Sequence, residues 1–188
     1  MANKVEFGIS ELHVGTYEVA DDGTVTMGTP YHQKGAISFS PEEQSEKNDF
    51  YADNIIFWSG YSGGTFEGDL EVALFSDDFK KKFLGYKALT VGGLAIVKGA
   101  TKPNVYIAFQ VEGDDQPRRA ILYNCSLGAI TREYNTIEES KEPVTETLAV
   151  TCIGDPTSGV PFASFTESDS EYDDLFTNPH APEVESES

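Results

Sequence analysis

Thr65-Phe66-Glu67-Gly68-Asp69-Leu70-Glu71-Val72-Ala73-Leu74-Phe75 runs directly into Ser76-Asp77-Asp78-Phe79-Lys80-Lys81-Lys82-Phe83-Leu84-Gly85. In the first part Phe66, Leu70, Val72 and Leu74 fall on one phase and Glu67, Asp69 and Glu71 on the other. Strict alternation of this kind is a strand with one face in a core and one in water. The period then changes. Ser76 can cap a helix, Asp77 and Asp78 oppose the positive end of its dipole, the lysines lie towards the negative end, and Gly85 permits a left-handed stop. Phe79 and Phe83, four residues apart, give that helix (about 76–85) a single apolar stripe to lay on a sheet.

Outward from this segment the pattern is strand after strand. Val5, Phe7 and Ile9 alternate, and the apolar phase then slips by one to Leu12 and Val14, so a bulge is expected at Ser10-Glu11. Tyr17-Glu18-Val19 and Val25-Thr26-Met27 flank Ala20-Asp21-Asp22-Gly23, a hairpin signal because Asp-Gly supplies positive φ. Ala36 to Phe39 is a further strand. Val105, Ile107, Phe109 and Val111, a turn at Gly113-Asp114-Asp115, and Ala120 to Leu127 read as a second hairpin, and residues 144–153 as a last strand. The fold class is therefore mainly β, with one short helix.

Residues 41–64 break the rhythm, with an acidic start (Glu42, Glu43, Glu46), an apolar middle (Phe50, Tyr51, Ile55, Ile56, Phe57, Trp58) and a glycine-rich end. They read as a long projecting loop or hairpin, whose aromatics either meet a neighbour or fold back on their own core.

The chain has 188 residues, enough for one domain with an added arm; its 39% hydrophobic content, with 12 Phe and 9 Tyr, suffices for a core. The formal charge is −19, and no Lys or Arg follows Lys141. A chain so acidic does not grip a phosphate backbone, which needs clustered Lys and Arg. No run of apolar residues suits a signal peptide or a membrane span, which places synthesis in the cytoplasm. Cys125 and Cys152 lie on the apolar phases Ile121-Tyr123-Cys125-Leu127 and Leu148-Val150-Cys152. They read as buried thiols, a cross-strand disulfide or metal pair being the alternative. Residues 1–155 form the β domain in this reading; 156–188 are an acidic C-terminal segment whose last ten residues have no fixed structure of their own.

No constellation of catalytic groups emerges. The acid pairs (Asp21-Asp22, Glu42-Glu43, Asp77-Asp78, Asp114-Asp115, Glu138-Glu139) sit at turns and helix starts, where backbone capping explains them. His13, His32 and His180 are isolated in sequence, without a partner at metal-ligand spacing. Neither a nucleophile elbow nor a phosphate loop is present. The expectation is a protein that is not an enzyme and has no catalytic, cofactor-binding or metal-binding residues.

Several phrases, in this order, carry a family resemblance: Phe50-Tyr51-Ala52-Asp53-Asn54, Phe66 to Leu74 with the helix that follows, Ala108-Phe109-Gln110-Val111-Glu112-Gly113-Asp114, Leu122-Tyr123-Asn124-Cys125, and Glu138 to Leu148. Across residues 4–155 the chain resembles the major tail protein, or tail tube protein, of long-tailed phages of Gram-positive bacteria. After Gly154 the resemblance is partial: Tyr172-Asp173-Asp174-Leu175-Phe176 is similar to the family's terminal aromatic segment, and residues 160–165 depart from its pattern. The resemblance implies a β-sandwich or barrel-like domain that assembles as hexameric rings stacked into a tube. That tube, in the virion tail, surrounds a tape measure protein, meets tail terminator and distal tail proteins, and conducts DNA without binding it. It also implies that 41–64 is the inter-ring loop, with Phe50, Tyr51, Asp53, Asn54 and Trp58 as contact candidates. Glu67, Asp69 and Glu71 are then candidates for an acidic lumen, across which DNA slides without sticking. The alternatives are a β-sandwich carbohydrate-binding or surface-adhesion module, whose exposed Trp and Tyr stack on sugars, or the tube subunit of a phage-derived tailocin. A β-sandwich hydrolase ranks behind both, for want of an acid-base pair.

Overall fold

The computed structural model describes residues 5–52, 55–113, 115–134, 136 and 143–184. In chain order the elements are β1 (Glu6–Val19), β2 (Val25–Met27), β3 (Tyr31–His32), β4 (Ala36–Phe39), β5 (Glu42–Ala52), β6 (Ile55–Val72), α1 (Asp77–Phe83), β7 (Lys87–Ala88), β8 (Leu94–Ala95), β9 (Val105–Gly113), β10 (Arg118–Arg132), β11 (Glu146–Cys152), β12 (Phe162–Phe165) and α2 (Glu171–Asp174). The main sheet is antiparallel, in the order β2-β1-β9-β10-β11-β6-β4, with β3 on β1, β5 on β6 and β12 on β10. It curls until β4 returns against β1. Phe39 of β4 then meets Phe109 of β9 edge-to-face across the interior, with ring centroids 5.5 Å apart. The result is the expected mainly-β, sandwich-like fold.

The principal core lies inside this curl. Leu12 and Val14 of β1, Leu70 and Val72 of β6, Val105 and Ile107 of β9 and Leu148 and Val150 of β11 are fully or almost fully buried there. α1 packs onto this core through Phe79 and Phe83. Its cap is as the sequence implies: the Ser76 side chain accepts a hydrogen bond from the Phe79 N–H at 3.2 Å, and Gly85 adopts φ 69°. Phe75, Phe79 and Phe83 follow one another along its buried side, the first pair stacked and the second tilted, with successive centroids 4.8 and 5.0 Å apart.

A smaller second core occupies the other face of the same strands. Tyr106 and Ala108, which alternate with Val105, Ile107 and Phe109, join Tyr17, Ile121, Tyr123 and Leu175. Val25 and Met27 of β2 cover part of it and residues 160–176 the rest: β12 pairs with the first half of β10, and Leu175, next to α2, is fully buried. β9 is thus buried on both faces, although the alternation of Val105, Ile107, Phe109 and Val111 points only one phase at a core. The fold also has a second short helix that the sequence reading did not contain.

β10 serves both cores by changing phase. Its residues 118–122 pair with β9 and β12, and residues 125–132 with β11. The register slips between Leu122 and Cys125, where Asn124 takes φ 51°. Asn is among the few residues that tolerate this region, because its side chain can bond locally. Here Asn124 Nδ2 donates to the Gly154 carbonyl at 3.0 Å, and its Oδ1 accepts from Asn104 Nδ2 at 2.8 Å. Reading Ile121, Tyr123, Cys125 and Leu127 as one face is therefore corrected: the first two face the second core and the last two the first.

Three further readings meet the structure in detail. The bulge at Ser10-Glu11 is present, with Glu11 at φ 49° and a register shift between Ser10 and His13. Cys125 and Cys152, directly opposite in the β10–β11 register, are joined by a disulfide, so the buried-thiol expectation is replaced by its alternative. Leu74, assigned to the apolar phase, is 63% exposed because β6 ends at Val72 and the chain turns Phe75 inward instead.

Candidate functional site

The loop expected at 41–64 is a long hairpin. β5 and β6 pair from Glu42↔Glu67 to Ala52↔Ile55, with Phe50 opposite Trp58. Asp53 and Asn54 lie outside the described residues, as do the side chains of Phe50, Tyr51 and Trp58. The base of the hairpin belongs to the main sheet: β6 continues through residues 66–72 between β4 and β11. Gly68 is needed there. A Cβ at this position would sit 2.2 Å from the Ser40 carbonyl oxygen where the chain passes from β4 to β5.

Glu67, Asp69 and Glu71 share the outward face of this base, as the alternation implied. Glu67 and Asp69 are exposed, and Glu71 is partly buried. Thr145 Oγ1 donates to Glu71 Oε1 at 2.6 Å and Ser38 Oγ to its Oε2 at 3.2 Å, which fixes that carboxylate. Glu42 stands directly opposite Glu67. Like charges so placed cost stability, and here Thr151, not a cation, is the neighbour on the far side of Glu67. Together with Ser40, Gln44, Asp69 and Thr151 they line an open groove of about 460 Å³. Its chemistry is hydroxyls, amide and carboxylate, which repels anions.

Inside the molecule two buried carboxylates are held by structural bonds. Glu146, on the apolar phase of β11, accepts from the Phe75 N–H at 2.7 Å and pairs with Lys80 Nζ at 3.2 Å and Arg132 Nε at 2.5 Å. It ties the start of α1 to the sheet. Asp155 accepts from the Tyr17 hydroxyl at 2.5 Å, the Ser158 hydroxyl at 2.7 Å and the Thr157 N–H at 3.1 Å. Burial alone would raise its pKa, but these hydrogen bonds outweigh it and hold the carboxyl below its ordinary value. The Tyr17 phenol is pushed up, first by burial and then by that bond.

The histidines are less isolated than their spacing implied, because β3 returns His32 opposite His13. Their rings stack 4.7 Å apart at 13°, and Phe176 stacks on the other side of His13 at 4.3 Å. Glu11 completes a cluster whose donor atoms lie within 4.8 Å of one another. Parallel stacked rings, however, aim their in-plane lone pairs side by side and not at a common point, and His13 Nδ1 is engaged with the Glu11 carbonyl at 2.8 Å. Burial is the main reason the His13 pKa is lowered, so the ring is held neutral in its stack. At the other end of the segment His180 Nδ1 lies 2.9 Å from Glu171, with Asp174 nearby. Arg119 is also spoken for: its guanidinium sits between Tyr172 and Phe176, 4.1 and 4.3 Å from the ring centroids. Among the described residues no helix is long and apolar enough to cross a membrane.

No protein-family model matches this chain, and no curated protein does. Among solved structures it is similar to a chain of the anti-feeding prophage cap, the AFP tube terminating cap. The TM-score is 0.51 at 9% sequence identity, with 88% of this chain and 96% of that one covered. A chain of an extracellular contractile injection system, the PVC sheath-tube complex in its extended state, aligns with a TM-score of 0.48 at 8% identity, covering 83% and 88%. The likeness to the cap chain is one of fold, and it extends over nearly the whole length of both chains.

Proposed function

We propose that this protein is a structural subunit of a phage tail or tail-like particle, a tail tube protein that works by assembling with its own copies into stacked hexameric rings. The observation that carries the reading is the shared fold with a tube terminating cap over 88% of the chain. The phrases of residues 4–155 that resemble major tail proteins of phages of Gram-positive bacteria add to it, and so do a hairpin projecting beyond the sheet and an acidic outward face at its base. In this reading the β5–β6 hairpin reaches the next ring and Glu67, Asp69 and Glu71 line the lumen, where fixed negative charge keeps DNA moving. The tube surrounds a tape measure protein, ends at terminator and distal tail proteins, and belongs to the virion. It performs no chemistry of its own.

Negative-stain electron microscopy of the purified chain tests this directly. Tubes of stacked rings that lengthen with concentration are the expected outcome, and Trp58→Asp should leave soluble subunits that do not elongate. Lone subunits at every concentration would overturn the assembly reading and favour the carbohydrate-binding module, with its saturable glycan site. The likeness to a cap favours one second reading, a ring that ends a tube instead of extending it. Closed single rings without filaments would select it.

A further inference from the structure

Six of the chain's 13 basic residues, Lys80, Lys81, Lys82, Lys87, Lys98 and Lys102, fall within residues 79–111, a stretch without a single acid in a chain of net charge −19. The structure gathers the middle of that stretch into one feature. Tyr86 N–H bonds the Lys80 carbonyl, and Gly85 packs against Ala100 and Thr101, so residues 86–100 leave and return at the C-terminal end of α1. Between these points β7 and β8 form a small hairpin turned by Gly92 and Gly93, both at positive φ. Its apolar side chains are uncovered from tip to base: Val91 in the turn is 91% exposed, with Leu89 beside it, and at the base Ile96 is 74% exposed, with Val97 next to it. Lys87 in its base pair and Lys98 just beyond it are exposed and in no ion pair with any described residue.

The opposite charge lies on the opposite side. Around α2, Glu167, Asp169, Asp173 and Asp174 are exposed within eight residues, and no Lys or Arg follows Lys141 in the sequence. α1 covers the core made by Val105, Ile107 and Phe109, whereas α2 belongs to the core made by Tyr106 and Ala108, on the other face of β9. A cationic, apolar-tipped hairpin and an acidic patch on opposite faces cannot meet within one molecule. In two copies they can. Such a contact joins unlike surfaces, and repetition of it yields a ring or a filament and never a closed two-fold dimer.

We infer that the β7–β8 hairpin of one subunit docks on the acidic α2 region of the next copy of this chain, with Lys87 and Lys98 at its base facing Glu167 and Asp174 and its exposed aliphatic side chains covered in the contact. This rests on the assembly reading above and names a contact it does not contain. The cations set the partner and its orientation, and burial of the aliphatic side chains holds it.

A charge exchange in the full-length protein tests the pairing, with sedimentation velocity over a concentration series as the readout. Lys87→Glu/Lys98→Glu and Glu167→Lys/Asp174→Lys should each raise the concentration needed for assembly by at least about tenfold, since each sets like charges face to face. Mixed in equal amounts the two variants should assemble near the wild-type concentration, because each then supplies the complement of the other. Circular dichroism melts matching the wild type confirm that both fold. A wild type that assembles alongside an equally competent Lys87→Glu/Lys98→Glu variant overturns the pairing alone, as does a mixture that fails to recover. A wild type that stays monomeric throughout overturns the assembly reading itself.

Discussion

The two helices of this protein are made by different means. α1 spans Asp77–Phe83 with a side-chain cap at Ser76, acids in its first turn, lysines in its last and two phenylalanines buried on one stripe. α2 spans four residues, Glu171–Asp174; Ser170 makes no side-chain cap bond, acids fill the first turn and no basic residue follows. What holds α2 is tertiary: Leu175 inserted in the second core, and Arg119 clamped between Tyr172 and Phe176. Local signals write the first helix, and the surface it docks on writes the second. A turn this short has almost no stability of its own in water.

Truncation of Phe79 should cost most. Phe79→Ala removes a fully buried ring packed between Phe75 and Phe83, and about 3–5 kcal/mol of global stability should be lost in urea unfolding. Leu175→Ala is expected to cost about 2–3 kcal/mol, with a different signature. Amides of residues 160–176 should exchange with solvent well before those of β9 and β11, since the segment can lift off while the first core stays closed. Equal loss of protection in both places would show that the two cores unfold together. The smallest effect separates the helices themselves: Ser76→Ala should cost about 1 kcal/mol through its cap, and Ser170→Ala nothing measurable. Matching losses from the two serines would remove the distinction drawn here.

The same contrast explains what could be read from the sequence. The bulge at Glu11, the Gly23 turn and α1 were legible because each is encoded by neighbours within a few residues: a slipped phase, an Asp-Gly pair, a cap and a stripe. The alternation that placed Glu67, Asp69 and Glu71 on an outward face was legible for the same reason. Tertiary partnerships were not. The acidity of residues 156–184 dominates its composition, while the contacts that seat it, Tyr172, Leu175 and Phe176, are few and close together. Asn124 inverts the phase of β10 without any apolar residue being out of place, so the alternation reads straight through it. His32 reaches His13 through a strand of two residues, too short to leave a pattern. A phase break at a buried Asn, next to two residues that both demand a core, is the signal that could have been used. The aromatic contact candidates of 41–64 were named from composition and resemblance, and only their backbone pairing is placed by the structure.

The cover over the second core has a consequence for the order of events during synthesis. Val25 and Met27 cover one part of that core, but Val160, Ala163, Phe165, Leu175 and Phe176, which cover the rest, are all made after Asp155. Until they are made, the nascent chain carries a partly bare apolar flank beside a first core that is already complete, and translation that stops early leaves it so. Residues 160–176 therefore act as a seal, and a frameshift or proteolytic trim near residue 156 should yield a product that clumps or is degraded.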